Sequence, residues 1–339
     1  MYITNQWYLV ALEDELLKQN PLGKKILGQE VVIFKTESGK IQVIENRCCH
    51  RNVALSMGYV KNEAIKCAYH GWEFDGTGKC VNIPSLHDKS QIPASACVKK
   101  YEVKIYNHMI WAFFGEASKA HEVALPPMPE IGQYPYVFNY HVVKADLKLV
   151  AESLIDPYHI DHVHRNSIKT FMGNLNRASV EFNIEMEGTA MTGSYMRENT
   201  GNFFEKFYFG FAPEIKTNFA FYFPHTSKLH IAFKEKNMFI YEHFYPIEDD
   251  KIMMLQITCW QGIFRRFPMW FAKKMMLDKS NKIVEEDIDF LECNKRYHDT
   301  QKLHDLLIKA DKVSIEFAKL WRTNVEKMKL KAEATADSV

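Results

Sequence analysis

No uninterrupted apolar stretch in this sequence approaches the roughly 20 residues that a bilayer-spanning helix needs, so no such helix is expected. Nor does either charge dominate. The 43 basic and 42 acidic residues leave no basic footprint for a nucleic-acid partner. Two of the seven cysteines fall in a spacing of their own, and Cys49, Cys80, Cys97, Cys259 and Cys293 are scattered without a disulfide-like framework. Internal repeats and long low-complexity tracts are missing too, and only Ala332–Val339 reads as a loose tail. Met1–Trp7 carries neither a basic n-region nor an apolar h-region. With the cysteine usage, this leads to the expectation of a cytoplasmic protein. What is present is ordinary for a globular chain: 339 residues, 47% hydrophobic and 25% charged, enough for two cores.

The chemistry begins with Cys48 and His50, a Cys-x-His pair, followed by Cys67 and His70, a Cys-x-x-His pair, with sixteen residues between. Two thiolates on one iron and two imidazoles on the other define a Rieske [2Fe–2S] centre, in which neutral nitrogen replaces anionic sulfur and raises the potential. A structural zinc site takes the same ligand types. Context favours the cluster: Ile41–Ile44 reads as a strand leading into the first pair, and Gly71–Gly76 follows the second as a turn-forming run. Each of two loops then gives one sulfur and one nitrogen.

From about Lys25 to Gly115 the chain reads as short strands broken by turns, an all-β domain closed by Tyr101–Tyr106 and Met109–Phe114 around a turn at Asn107-His108. A connector with Pro126, Pro127, Pro129 and Pro135 follows, and the boundary is expected near residue 118. Beyond it, Lys144–His164 reads mainly as helix, Ser179–Trp260 as alternating strands, and Pro268 onward as helix again. The fold expected for residues 119–339 is therefore α+β, an antiparallel sheet wrapped by helices. Ile263–Met276 mixes aromatics with cations as interfacial helices do. A core-packed helix with a basic outer face is the commoner use of such a pattern and is the expectation here. Aromatics such as Phe207, Phe209, Phe219, Phe221, Phe223 and Phe239 read as sheet core, with pocket lining as the alternative.

Two segments of this second region offer metal ligands. Glu152–His164 holds His159, His162 and His164, and two imidazoles with one carboxylate form the facial triad of non-haem Fe(II) oxygenases. Helical spacing taken alone pairs His159 with His162. The carboxylate is sought in Ile283–Glu292, where Asp287 has Ile283, Val284, Phe290 and Leu291 as its three- and four-spaced neighbours. A carboxylate in an apolar stripe is costly unless a cation compensates it. A partner such as Arg165 would serve that purpose without a metal.

These motifs resemble the terminal oxygenase components of Rieske non-haem iron oxygenases, over nearly the whole chain. Cys67–Pro84 is close to that family's run at its second pair; Ala68 and Cys49 depart from it where proline is frequent, and neither position supplies a ligand. The resemblance implies an amino-terminal Rieske domain over residues 1–118 and a helix-grip-like catalytic domain over 119–339. It implies Cys48, His50, Cys67 and His70 as cluster ligands. The family's Asp-x-x-His-x4-His pattern matches Asp156, His159 and His164, and its Glu-Asp-x4-Glu pattern matches Glu286, Asp287 and Glu292. This selects His159 with His164, and with Asp287, as ligands of a mononuclear Fe(II), and leaves His162 as the fallback. Asp156 is implied to connect the cluster histidine of one subunit to His159 of its neighbour, which requires a homo-oligomer, a trimer in many relatives. Glu152 is a weaker candidate near the iron, and Ser153 stands where many relatives carry asparagine. Electrons from NAD(P)H are implied to arrive through a separate ferredoxin or flavin reductase, with O2 as co-substrate. The reaction implied is hydroxylation or oxidative demethylation of a small aromatic or heterocyclic compound. The alternatives are cis-dihydroxylation of an aromatic ring and, from another class, a non-catalytic Rieske electron carrier.

Overall fold

The computed structural model describes residues 2–164, 167, 182–198, 214–264, 267–301 and 305–336. The chain forms two compact units, Met1–Pro127 with Pro246–Asp249, and Met128–Tyr245 with Asp250–Val339. The expected boundary near residue 118 falls in the last stretch of the first unit.

The first unit is built from short antiparallel strands. One sheet is β1 (Gln6–Leu12), β10 (Met109–Phe114) and β9 (Val103–Tyr106), in that order. The expected turn at Asn107-His108 closes the β9–β10 hairpin, with both residues at positive φ, as a two-residue hairpin loop requires. A second sheet orders β2 (Leu22–Ile26), β3 (Gln29–Lys35) and β4 (Ile41–Glu45); a third orders β5 (Tyr59–Lys61), β6 (Ala64–Lys66), β7 (Glu73–Asp75) and β8 (Cys80–Asn82). Val32, Phe34 and Ile44 from the second sheet and Ile65 and Phe74 from the third pack into one core, and Cys48 and Cys67 belong to it. The short helix α1 (Glu13–Lys18) follows β1.

The second unit centres on a seven-stranded sheet. Its strands are β11 (Tyr136–Val143), β12 (Asn183–Glu187), β13 (Ala190–Glu198), β14 (Glu214–Tyr222), β15 (Thr226–Phe233), β16 (Lys236–Glu248) and β17 (Lys251–Gln261). They are ordered β11-β17-β16-β15-β14-β13-β12. Side chains alternate faces along a strand, so Met238, Ile240 and Glu242 of β16 share one face. Gly193 on β13 stands opposite Phe219 on β14. A Cβ there would lie 2.2 Å from the Phe219 ring, so glycine makes room for it. Phe219, Phe221, Phe223 and Phe239 are all buried, as expected of sheet core, and Phe219 also borders a cavity; Phe207 and Phe209 lie outside the described residues.

The helices are α2 (Leu147–Ile155), the single-turn α3 (Ile160–Val163), α4 (Met269–Gln301) and α5 (Lys312–Ala336). Lys144–His164 is mainly helix, as expected, in two pieces: it breaks at Asp156-Pro157, because a residue before proline is pushed out of the helical region, and Asp156 has extended backbone. One expectation needs correction. The supposed loose tail is helical as far as Ala336, since its alanine-rich composition favours helix. In α4 the buried residues include Ala272 and Met276, while Met269 and Trp270 are exposed. Among the described residues no helix is long and apolar enough to cross a membrane.

Candidate metal centres and substrate cavity

The two Cys/His pairs occupy loops of the same construction. Cys48 N–H donates to Val53 O at 2.8 Å, and Asn52 N–H donates back to Cys48 O at 2.9 Å. Likewise Cys67 N–H donates to Trp72 O at 2.9 Å, and Gly71 N–H donates to Cys67 O at 3.0 Å. The fourth residue after each cysteine takes a positive φ, 58° at Asn52 and 71° at Gly71, a conformation that asparagine and glycine adopt most readily. Each loop thereby turns its sulfur into the core and its imidazole outward. Both cysteines are buried and both histidines exposed, with the His50 and His70 ring centroids 4.7 Å apart. His50 stacks on Trp72 at 4.6 Å, nearly parallel. Burial pushes the Cys48 thiol up to about 11, and the neighbouring Cys67 adds to the rise. This donor set of two thiols and two imidazoles fits a Rieske [2Fe–2S] cluster. Cys49 only packs against the same core.

The second cluster of donors is assembled by the helix break. After α2 ends, Asp156 Oδ1 accepts from Tyr158 N–H at 2.8 Å, and this turn leads into α3, with His159 and His164 as the residues that flank it. α4 brings Asp287. His159 Nε2 lies 3.5 Å and His164 Nε2 3.2 Å from the same Asp287 oxygen, and the donor atoms of the three residues lie within 4.8 Å of one another. His162, which a continuous helix would have paired with His159, is exposed.

Glu286, the residue before Asp287, decides how His164 faces this cluster. Its carboxylate can only accept, so the His164 Nδ1–H donates to Glu286 Oε2 at 3.1 Å, and Nε2 of the same ring faces Asp287. Ser167 Oγ donates to the same Glu286 oxygen at 2.5 Å. Burial lowers the basicity of His164, but the carboxylates of Asp287 and Glu286 outweigh it and raise its pKa; for His159 burial prevails and lowers it. Two imidazole nitrogens converge on one buried carboxylate oxygen, a donor set that a metal cation completes. Bonds of about 2.1 Å from a metal to nitrogen and oxygen put neighbouring ligands about 3 Å apart, close to the observed spacings. The donor set fits a divalent metal of the 2-His-1-carboxylate type.

Other acids of this helix do other things. Glu285 and Asp289 are exposed, and Glu292 accepts from Lys144 N–H at 3.1 Å. Val284 and Leu291 are buried beside Asp287, whereas Phe290, expected on the same stripe, is mostly exposed. Arg165, the alternative partner for Asp287, lies outside the described residues. Asp156 Oδ2 is 3.9 Å from His159 Nδ1. Burial raises the Glu152 carboxyl above its ordinary range, and Glu152 and Ser153 line a groove that also reaches His159 and Asp287.

The triad opens onto a cavity of about 170 Å³. Its wall is largely apolar, with Phe219, Leu229, Ile231, Met238, Ile240 and Met276 drawn from three strands and α4. Glu242 interrupts that wall. Ser227, directly opposite on β15, donates to Glu242 Oε2 at 2.7 Å, and Gln256 Nε2 donates to Oε1 at 3.1 Å. The Ser280 hydroxyl of α4 donates to Gln256 Oε1. Burial pushes the Glu242 carboxyl up to about 7 against these hydrogen bonds. Sequence reasoning named Glu286 without its contact to His164, and missed Ser167 and Glu242. The strand periodicity of Met238, Ile240 and Glu242 was the available signal for the last.

Comparison with known proteins finds a family for each of the two regions that carry these residues. Residues 6–102 match the family described as the Rieske [2Fe-2S] domain, and residues 143–327 match the vanillate O-demethylase oxygenase C-terminal domain. That combination is the one found in Rieske terminal oxygenases. Within that class, the chain belongs to the vanillate O-demethylase oxygenase family. It is 29% identical over 212 residues to a toluene-4-sulfonate monooxygenase iron-sulfur subunit of Comamonas testosteroni, covering 60% of this chain and 58% of that protein. It is 33% identical over 174 residues to the dicamba O-demethylase oxygenase component of Stenotrophomonas maltophilia, covering 50% of each. The chain thus spans little more than half the length of these relatives in sequence. The fold extends further: the crystal structure of dicamba monooxygenase bound to dicamba superposes with a TM-score of 0.80 over 98% of this chain and 99% of that one, at 21% identity.

Proposed function

We propose that the chain is an oxygenase component that hydroxylates or oxidatively demethylates a small aromatic or heterocyclic compound. When bound, the cluster delivers single electrons, and the mononuclear iron binds and activates O2. Cys48, His50, Cys67 and His70 hold the cluster, and His159, His164 and Asp287 hold the iron. Glu286 keeps the His164 proton on Nδ1, so that Nε2 remains a ligand. The apolar wall orients a ring beside the triad and excludes water. Asp156 is the proposed connection from His70 of a neighbouring subunit to His159, in a homotrimer. A ferredoxin or flavin reductase drawing on NAD(P)H supplies electrons, in a reducing cytoplasm suited to seven unpaired cysteines.

The observation that carries this reading is the convergence of His159, His164 and Asp287 on one cavity, which a plain electron carrier has no use for. The names of the relatives, a toluene-4-sulfonate monooxygenase and a dicamba O-demethylase, support monooxygenation or demethylation over dihydroxylation. The test is iron counting and oxygen uptake with a surrogate reductase. Wild-type protein is expected to hold two cluster irons and a third, and to consume oxygen with a panel of methylated aromatics. Asp287→Ala is expected to keep the visible cluster spectrum, lose the third iron and lose at least a hundredfold in turnover. A variant that retains the third iron and full oxygen uptake, or that loses the cluster, removes Asp287 from the role given to it.

A further inference from the structure

We infer that Glu242 selects substrates carrying a hydrogen-bond donor, an alcohol or amine on an otherwise apolar ring, and rejects carboxylates. The inference rests on the oxygenase reading and deepens it by naming the class of compound that the cavity takes.

Three observations support it. First, Glu242 lies in an apolar row. Met238 and Ile240, its same-face predecessors on β16, line the cavity with it, and Leu229 and Ile231 continue the apolar surface on β15. Second, its hydrogen bonding is one-sided. Among the described residues, Ser227 and Gln256 each give it one donor, while the carboxylate that Glu242 forms above pH 7 has about four acceptor positions. The spare lone pairs belong to a group that lines the cavity, so the complementary substrate atom is a donor. Ser280 supports this polarity: its hydroxyl donates to the Gln256 oxygen, which leaves the amide nitrogen toward Glu242. Third, above pH 7 Glu242 itself carries a negative charge at the wall of this cavity. An anion beside Glu242 gains nothing from an acceptor and meets like charge in a water-poor site.

The size of the cavity agrees with a one-ring compound, since an engineered apolar cavity of about 150 Å³ accommodates benzene. Lys279 also borders the wall and is the natural rival as a polar anchor. It is half-buried and already has an interaction of its own, whereas Glu242 retains acceptor capacity.

The experiment uses matched probes with one ring and one methoxy group: 4-methoxybenzyl alcohol, 4-methoxybenzylamine and 4-methoxybenzoate. Binding to iron-loaded holoprotein is measured by calorimetry without oxygen at pH 8, so that no turnover intervenes. The alcohol and the amine are expected to bind at least tenfold more tightly than the benzoate. Glu242→Gln, which keeps the shape and removes the charge, is expected to shrink that difference below threefold. A benzoate that binds as well as the other two assigns the anchor to Lys279 and overturns the inference. So does a preference that survives intact in Glu242→Gln, or an absence of discrimination among the probes. If Glu242→Gln fails to fold, the wild-type ranking decides alone. The iron count and oxygen uptake judge the oxygenase reading separately: protein that consumes oxygen and still favours the benzoate keeps that reading and loses this one.

Discussion

Glu242 also has a measurable consequence for stability. In the unfolded chain a glutamate titrates near 4.3; in the fold, burial pushes it up to about 7. A raised carboxyl pKa means that the folded state holds the proton longer than the unfolded state does. Stability is therefore unaffected below about pH 4 and declines as pH rises toward 7, by on the order of 3 kcal/mol in full. Glutamine at 242 has no proton to lose. After the mononuclear iron is stripped, Glu242→Gln is expected to gain thermal stability over wild type between pH 5 and pH 8. Melting curves of both proteins at intervals across this range check it. A gap that stays constant with pH would show that Glu242 ionises in the fold much as it does in the open chain. Glu286 makes a complementary point about single residues. It follows Glu285 and precedes Asp287 in a run of acids, and its role became visible only through the His164 and Ser167 contacts.

At the level of elements, the cluster loops are the most demanding piece of backbone. Each must reverse within five residues and return its fourth residue in the left-handed region. Glycine meets that condition at 71, where an added Cβ would also come within 3.0 Å of the Pro84 ring. A β-branched side chain in this conformation costs roughly 1–2 kcal/mol or more. Gly71→Val is therefore expected to lower the melting temperature and to reduce cluster absorbance per chain, whereas Asn52→Gly leaves both near wild type. Full absorbance and an unchanged melting temperature in Gly71→Val would contradict the loop argument. The ligand pairs themselves were legible because their spacing is short and local. The break in the helix at Asp156-Pro157 was legible in principle, since proline marks it, but the geometry of the turn that follows was not. Only that break explains why His164, rather than His162, joins His159.

Across the molecule, what could be read in advance and what could not divide by distance along the chain. The strand-rich first unit and the sheet with flanking helices follow from local patterns, and Asp287 was found because it lay on an apolar helical stripe. The contacts of Glu242 depend on the register of β15 against β16, on the neighbouring strand β17 and on the placement of α4. No local pattern contains that register. The same separation gives a prediction about metals. Cys48, His50, Cys67 and His70 all lie in the first unit, while His159, His164 and Asp287 all lie in the second. No ligand is shared between the two proposed centres, and the cluster sulfurs are buried in a core of their own. A chelator that reaches the mononuclear site should therefore remove one iron of three, leave the visible cluster spectrum unchanged and abolish oxygen uptake. Adding Fe(II) without oxygen should restore uptake to near its starting value. Cluster bleaching in step with the loss of uptake would mean that the two centres do not load independently, and would count against assigning their ligands to separate units.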